Sequence, residues 1–304
     1  MFDRRAFLMS VGAALTALPG RALAADGGVS IPFQLRPPRI VIDVEIGGKG
    51  PYGFLLDTGG VTSVIDSAFA QAMKFPHGGS AGLGMASTSG AFDEVIATDL
   101  VLGGALKIPR MSFASTSLIG FGKDLVGTFG VECLTQYPGL IDFDAGVWRM
   151  FTAGLPALDG YTSQRGAMAR DGDAPSAFIF ATVMLNDVPV RLALDTGAPG
   201  TIRLTPQALK RTGLDRPDVP VLTPAPGRKP KLPAVRAARA SLNGIDLGQP
   251  AVERGDRASD DYPDGIMGIR LIRLFNFAVD AKTGELWLKR NSLPMLPDAM
   301  YPGT

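Results

Sequence analysis

Apolar residues along this chain gather in short runs, and most runs end at glycine, proline, asparagine or aspartate. Residues 39–46 hold Ile40, Val41, Ile42, Val44 and Ile46, a β-branched content that reads as a strand. Gly47, Gly48, Lys49 and Gly50 then turn. A second strand from Tyr52 runs through Leu55 and Leu56 into Asp57, Thr58, Gly59 and Gly60. The pattern comes back later. Residues 178–185 are apolar, Asn186 and Asp187 turn, and 190–194 run into Asp195, Thr196, Gly197 and Ala198. Only short helices interrupt the strands. Thr205 suits an N-cap, Pro206 the first helical position and Gly213 the stop. In the first copy Ser67 holds the place of Thr205, with helix over 68–73. The pattern is one of many short strands joined by turns.

The recurrence keeps one register. Asp57 and Asp195 stand 138 residues apart, and so do Pro51 and Pro189, Ser67 and Thr205, Gly127 and Gly265, Gly130 and Gly268, and Asp142 and Asp280. Landmarks in one register are the mark of internal duplication, and two copies argue for two fused lobes rather than a solenoid. The pattern divides the chain into lobes at 25–155 and 176–292, a weakly patterned linker at 156–175 and a tail at 293–304.

Composition narrows the function classes. The chain is 46% hydrophobic and 19% charged, so it can bury a core, and 38 glycines and 24 prolines suit many turns. A net charge of +1 argues against a nucleic-acid binder. One cysteine and one histidine argue against an intrachain disulfide and against histidine- or multi-cysteine-based metal chemistry. No cofactor is expected. At the start, Arg4 and Arg5 precede a short apolar run, and Ala22, Leu23 and Ala24 offer a cleavage site. Residues 1–24 resemble a twin-arginine signal, with Ala25 as the new N-terminus and the twin-arginine export machinery as a partner. A first helix or a retained anchor is the other reading, but the run is short for a span of about 20 residues. The expected location is periplasmic or secreted, from a bacterium, with no stable membrane insertion after cleavage.

A duplicated carboxylate has a chemical meaning. Two carboxylates about 3 Å apart cannot both ionise, so they share a proton. The charged partner takes a proton from water while the protonated one donates to a substrate carbonyl, which is general acid–base hydrolysis of an amide. Gly59 and Gly197 let the two loops approach where a Cβ would clash. Thr58 and Thr196 offer hydroxyls that can bond to the facing loop.

On these two Asp-Thr-Gly loops, and on the apolar-glycine elements that follow each of them at 127–134 and 265–272, the chain resembles a tandem retropepsin-like aspartyl protease of the bacterial type. The resemblance implies an all-β fold of two pseudo-symmetric, closed-barrel-like lobes with the active site between them and a hairpin flap above. It implies Asp57 and Asp195 as the catalytic pair, Thr58, Gly59, Thr196 and Gly197 as their supporting loops, and a peptide or protein substrate cleaved as by an aspartic-type endopeptidase. A peptide-binding module of the same fold with little turnover, and an exported interaction protein whose loops are only turns, are the alternatives. Gly60 and Ala198 depart from pepsin-like enzymes, which place a hydroxyl there. Without it the shared proton should persist to higher pH, giving a less acidic optimum.

The flap is expected from the glycine-rich stretch at 82–92, with Gly84, Met85, Ala86 and Ser87 as its substrate-facing tip. The matching stretch at 223–231 carries Pro224, Pro226 and Pro230, which disfavour a hairpin. Its cations Arg228, Lys229 and Lys231 read as a solvated loop. Cys133 reads as a small buried apolar group rather than a nucleophile. Asp142 and Asp280 read as structural, Trp148 and Trp287 as packing, and the acids over 253–264 as a solvated loop.

Overall fold

Both hairpins that lead to the aspartates turn on residues with positive φ, Gly47 and Gly48 in one and Asn186 and Asp187 in the other. Turns of that kind match the twist of the strands they join. Arg39–Ile46 therefore pairs antiparallel with Lys49–Leu56, and Phe180–Leu185 with Val188–Asp195. The computed structural model describes residues 16–17, 28–85, 88–117, 124–168, 178–229, 231–255, 262–298 and 300–301, with backbone alone for 16–17 and 80–91.

The protein is all-β with short helices. In the first lobe six strands close into a barrel in the order Leu106–Thr116, Val64–Asp66, Leu125–Phe129, Lys49–Leu56, Arg39–Ile46 and Thr88–Leu102. The long last strand closes the ring, because it pairs with Arg39–Ile46 and also with Leu106–Thr116. Phe54, Phe113 and Phe129 fill the interior without solvent exposure, Phe54 stacking on Phe129 at 5.0 Å. In the second lobe the two long strands are broken. Ala234–Arg236 and Ala240–Leu242 take the place of one, Ile245–Gly248 and Ala251–Arg254 of the other, and the eight-stranded sheet follows an open path. Pro250 sits in the second break, where it has no N–H to give a ladder.

A third sheet of six strands joins the lobes, and its central pair is Gly139–Asp142 with Phe275–Asp280. There Leu140 pairs with Ala278. Those two residues are themselves related by the 138-residue register, so a pseudo-two-fold axis passes between them.

Two local expectations shift. The first-lobe helix is Ser67–Ala72, and its cap is Asp66, whose carboxylate accepts the Phe69 amide at 3.0 Å. A side-chain oxygen one residue earlier reaches the third helical amide, leaving Ser67 inside the first turn. Within the stretch read as linker, Thr162–Gln164 forms an outer strand of the shared sheet against Leu286–Leu288. The signal assigned to 1–24 falls almost wholly outside the described residues. Within it, Thr16–Ala17 pairs with Leu106 and Lys107. Among the described residues no helix is long and apolar enough to cross a membrane.

Candidate active site

Each aspartate ends an inner strand of its sheet. Lys49–Leu56 lies parallel to Leu125–Phe129, and Val188–Asp195 parallel to Gly265–Gly268. Strands covered on both faces read as unbroken apolar runs rather than alternating ones. Phe54, Leu55, Leu56, Leu192, Ala193 and Leu194 have no exposure at all. The chain then leaves the sheet at the carboxylate. The Asp57 amide still donates to Phe129 O at 2.8 Å, which ties the start of the loop to its neighbour strand.

Two threonines lock the loops to each other. The Thr58 amide donates to Thr196 Oγ1 at 3.0 Å, and the Thr196 amide returns the bond to Thr58 Oγ1 at 3.0 Å. Each hydroxyl in turn donates to the opposite strand end, Thr58 to Leu194 O at 2.5 Å and Thr196 to Leu56 O at 2.6 Å. Both side chains are fully buried. This lattice of four bonds crosses the pseudo-two-fold axis and fixes the spacing of the aspartates.

Glycine is required next. A Cβ on Gly59 would fall inside the Asp195 carboxyl group, and one on Gly197 inside that of Asp57. The carboxyl groups are hydrogen-bonded to each other and nearly sealed, with 6% exposure for Asp57 and 7% for Asp195. Gly130 and Gly268 serve the loops from behind. A Cβ on either would strike the backbone just after its aspartate, at Thr62 and Gly60 or at Gly200 and Ala198.

The pair is not symmetric. Asp195 Oδ1 accepts the Gly197 amide at 3.0 Å and the Ala198 amide at 2.8 Å. Asp57 Oδ1 accepts the Gly59 amide at 3.0 Å. Both the Gly60 and the Ala198 amide donate to the backbone oxygen of their own aspartate at 3.3 Å, so the added bond of Ala198 to the carboxylate is the difference. Burial holds both carboxyls above the ordinary range, and for Asp57 the charge of Asp195 adds to it. The two amides on Asp195, together with the field of Arg203, pull it back toward the anion. Asp57 is therefore the better holder of a shared proton, and Asp195 the better base.

Residues 181–271 match a family model described as aspartyl protease. That span takes in Asp195 and the second glycine element. Among curated proteins none matches the chain. Among solved structures the chain is similar to an aspartic proteinase from Irpex lacteus, at 16% identity and a TM-score of 0.55, over 87% of this chain and 98% of that one. At that identity the likeness speaks for the fold, and the fold is that of an aspartic proteinase.

The remaining expected positions fall as follows. Gly84 and Met85 end strand His77–Met85, which pairs antiparallel with Thr88–Leu102 up to Met85 opposite Thr88, so a first-lobe hairpin is present in the backbone. Ala86 and Ser87, at its tip, lie outside the described residues. In the second lobe no strand forms over 223–229 and 231 among the described residues, and Arg228, Lys229 and Lys231 are exposed. Asp142 and Asp280 cap tight turns, accepting the amides of Ala145 and Lys282. The thiol of Cys133 is pushed up by burial. One expectation is overturned. Asp264 is not a solvated acid but is 7% exposed, held by Arg211 at 2.7 and 2.9 Å and by the Arg191 amide at 2.8 Å. It clamps a helix and a strand onto the segment leading to Gly265.

Two residues near the pair escape a reading of motifs. Tyr262, 5% exposed, donates its hydroxyl to Gly59 O at 3.0 Å, so a second-lobe residue props the first-lobe loop. Its ring packs on Phe178 at 4.6 Å between centroids. Glu132 places its carboxyl behind Asp57, accepting the amide and hydroxyl of Ser63, both at 2.6 Å. An acid inside the apolar run Val131, Glu132, Cys133, Leu134 was the available signal for it.

Proposed function

We propose that this protein is an aspartic-type endopeptidase that hydrolyses peptide bonds with Asp57 and Asp195. The observation that carries the reading is the contact of two buried, hydrogen-bonded carboxyls at the ends of duplicated strands. In the reaction Asp195, charged, accepts a proton from a water molecule as its oxygen attacks the peptide carbonyl. Asp57, protonated, donates to the carbonyl oxygen. The tetrahedral intermediate then collapses, the C–N bond breaks, and the leaving amine takes a proton from the pair. The threonine lattice keeps the two groups in place, and the low-dielectric pocket makes a single shared proton the stable state.

Digestion of a mixed peptide library tests this, with Asp57→Asn and Asp195→Asn as controls. Internal cleavage by the parent and a loss of at least about 10³-fold in each variant are expected. Cleavage by both variants at the parent rate overturns it, and peptide binding without turnover favours a binding module instead. We also propose that residues 1–24 direct export through the twin-arginine machinery to the periplasm or beyond. Replacing Arg4 and Arg5 by lysine should then retain the protein in the cytoplasm.

A further inference from the structure

We propose that Glu132 is a positioning residue of this pair, whose buried carboxyl fixes the loop after Asp57 and, once ionised, opposes the loss of the last shared proton from Asp57. The inference rests on the reading of Asp57 and Asp195 as a proton-sharing pair. Glu132 stands in the short helix Val131–Thr135, directly after Gly130. Its Oε1 accepts both the amide and the hydroxyl of Ser63, and Ser63 Oγ accepts the Gly130 amide at 3.0 Å. The Val131 amide donates to Gly60 O at 2.8 Å, and the Asp57 amide to Phe129 O at 2.8 Å. The loop 57–63 is thus stitched to the glycine element at both ends, with Glu132 as the one charged member. Its other oxygen, Oε2, is buried without a hydrogen-bond partner among the described residues. Once ionised, a carboxylate sealed in this way is poorly screened and acts on its neighbours strongly.

The titratable groups that face it are Asp57, at the end of Lys49–Leu56, and Cys133 of its own helix. The charge of Glu132 opposes the ionisation of Asp57. The second lobe carries the opposite sign. At the register position of Glu132 stands Arg270, which donates to Pro199 O at 3.1 Å and Pro297 O at 2.6 Å. Thr201, matching Ser63, spends its hydroxyl on Ala251 O. Thus Asp57 has one amide and the Glu132 carboxyl behind it, while Asp195 has two amides and the field of Arg203. Each difference favours the proton on Asp57. Burial lifts Glu132 itself to about 7, so its charge develops on the neutral side of the profile. There it would act on the loss of the last shared proton and spare the first.

Glu132→Gln separates charge from geometry, because the amide oxygen of glutamine accepts the same two bonds from Ser63. The pH–rate profile of the variant on a cleavable peptide should lose its alkaline limb at lower pH, by on the order of half to one unit, with the acidic limb unmoved. Unchanged limbs, or both limbs moving together, overturn the proposal. Carboxyl ¹³C titration of the unmodified protein gives a second reading that needs neither turnover nor a variant. Asp57 should hold the last proton of the pair, and its final step should inflect with the ionisation of Glu132. Asp195 holding the last proton overturns the proposal. If the parent cleaves no peptide, the endopeptidase reading fails, and this titration still decides the role of Glu132.

Discussion

The Thr58 hydroxyl accepts the amide of Thr196 at 3.0 Å, and Thr196 gives the same bond back to Thr58. Two residues 138 apart in sequence thereby hold two carboxylates in register. The bond is dry, so its loss is not made good by water. Thr58→Val keeps the shape but orphans the Thr196 amide and the Leu194 carbonyl, and a loss of about 2–4 kcal/mol is expected in urea unfolding. Thr58→Ser keeps the hydroxyl and should cost far less. Equal stability of the valine and serine variants would contradict this role.

Gly59 and Gly197 face the opposing carboxyl groups, where a methyl group has no room. Gly59→Ala must push Asp195 away from Asp57. A displacement near 1 Å at a reacting group costs about 10²-fold in rate. Peptide cleavage should fall by at least that much while thermal unfolding stays cooperative. Full activity in the alanine variant would mean that the carboxyls do not act together.

Stability should fall as the pH rises toward neutrality. A carboxyl with a raised folded value binds its proton more tightly in the folded chain than in the unfolded one. Its contribution is present below the ordinary carboxylate range and is lost as pH rises through the raised value. For Glu132 that window runs from 4.5 to about 7, and Asp57 and Asp195 act in the same direction. Each such group steepens the decline by at most about 1.4 kcal/mol per pH unit. Thermal melts across this window should show the decline, and Asp57→Asn or Glu132→Gln should flatten it. A rise in stability over the same range would refute the protonated pair.

The pH–rate profile should peak well above the strongly acidic range. Asp57 gains no bond from a hydroxyl at position 60, since Gly60 has none, and among the described residues the Gly59 amide is the one backbone donor to its carboxylate. Gly60→Ser would supply a hydroxyl near Asp57 and should draw the alkaline limb to lower pH. An optimum near pH 2 in the parent would count against this.

Asp264 carries a structural load that needs Arg211. Arg211→Ala leaves a nearly buried carboxylate with the Arg191 amide as a remaining donor. Because Arg211 is itself about half exposed, a cost of about 1–3 kcal/mol is expected rather than that of a fully buried pair. Chemical unfolding of the variant measures it. The helix Pro206–Arg211 should loosen first, visible as faster amide exchange there.

Local sequence was enough to place the elements and to match them across the duplication. Apolar runs into Asp57 and Asp195, turns at Gly47 and Asn186, and glycines at 130 and 268 are local signals that survive in one dimension, because each answers a local steric or burial demand. The matched landmarks also carried the two lobes, and the family resemblance carried the all-β fold. Tertiary structure decided the rest. Where the cap of the first helix lies depended on which oxygen reached the Phe69 amide. Whether the second barrel closed depended on breaks near residues 237–239 and 249–250. Asp264 looked like surface until Arg211 folded over it, and Tyr262 became a prop for Gly59 only when the lobes met. The asymmetry of the pair is the clearest case. Identical Asp-Thr-Gly triplets differ in their proton affinity because the Ala198 amide also reaches its carboxylate while the Gly60 amide bonds to the Asp57 backbone oxygen, and because Glu132 is buried near Asp57. Electrostatics in a dry interior depends on distance and direction, which a linear pattern does not hold.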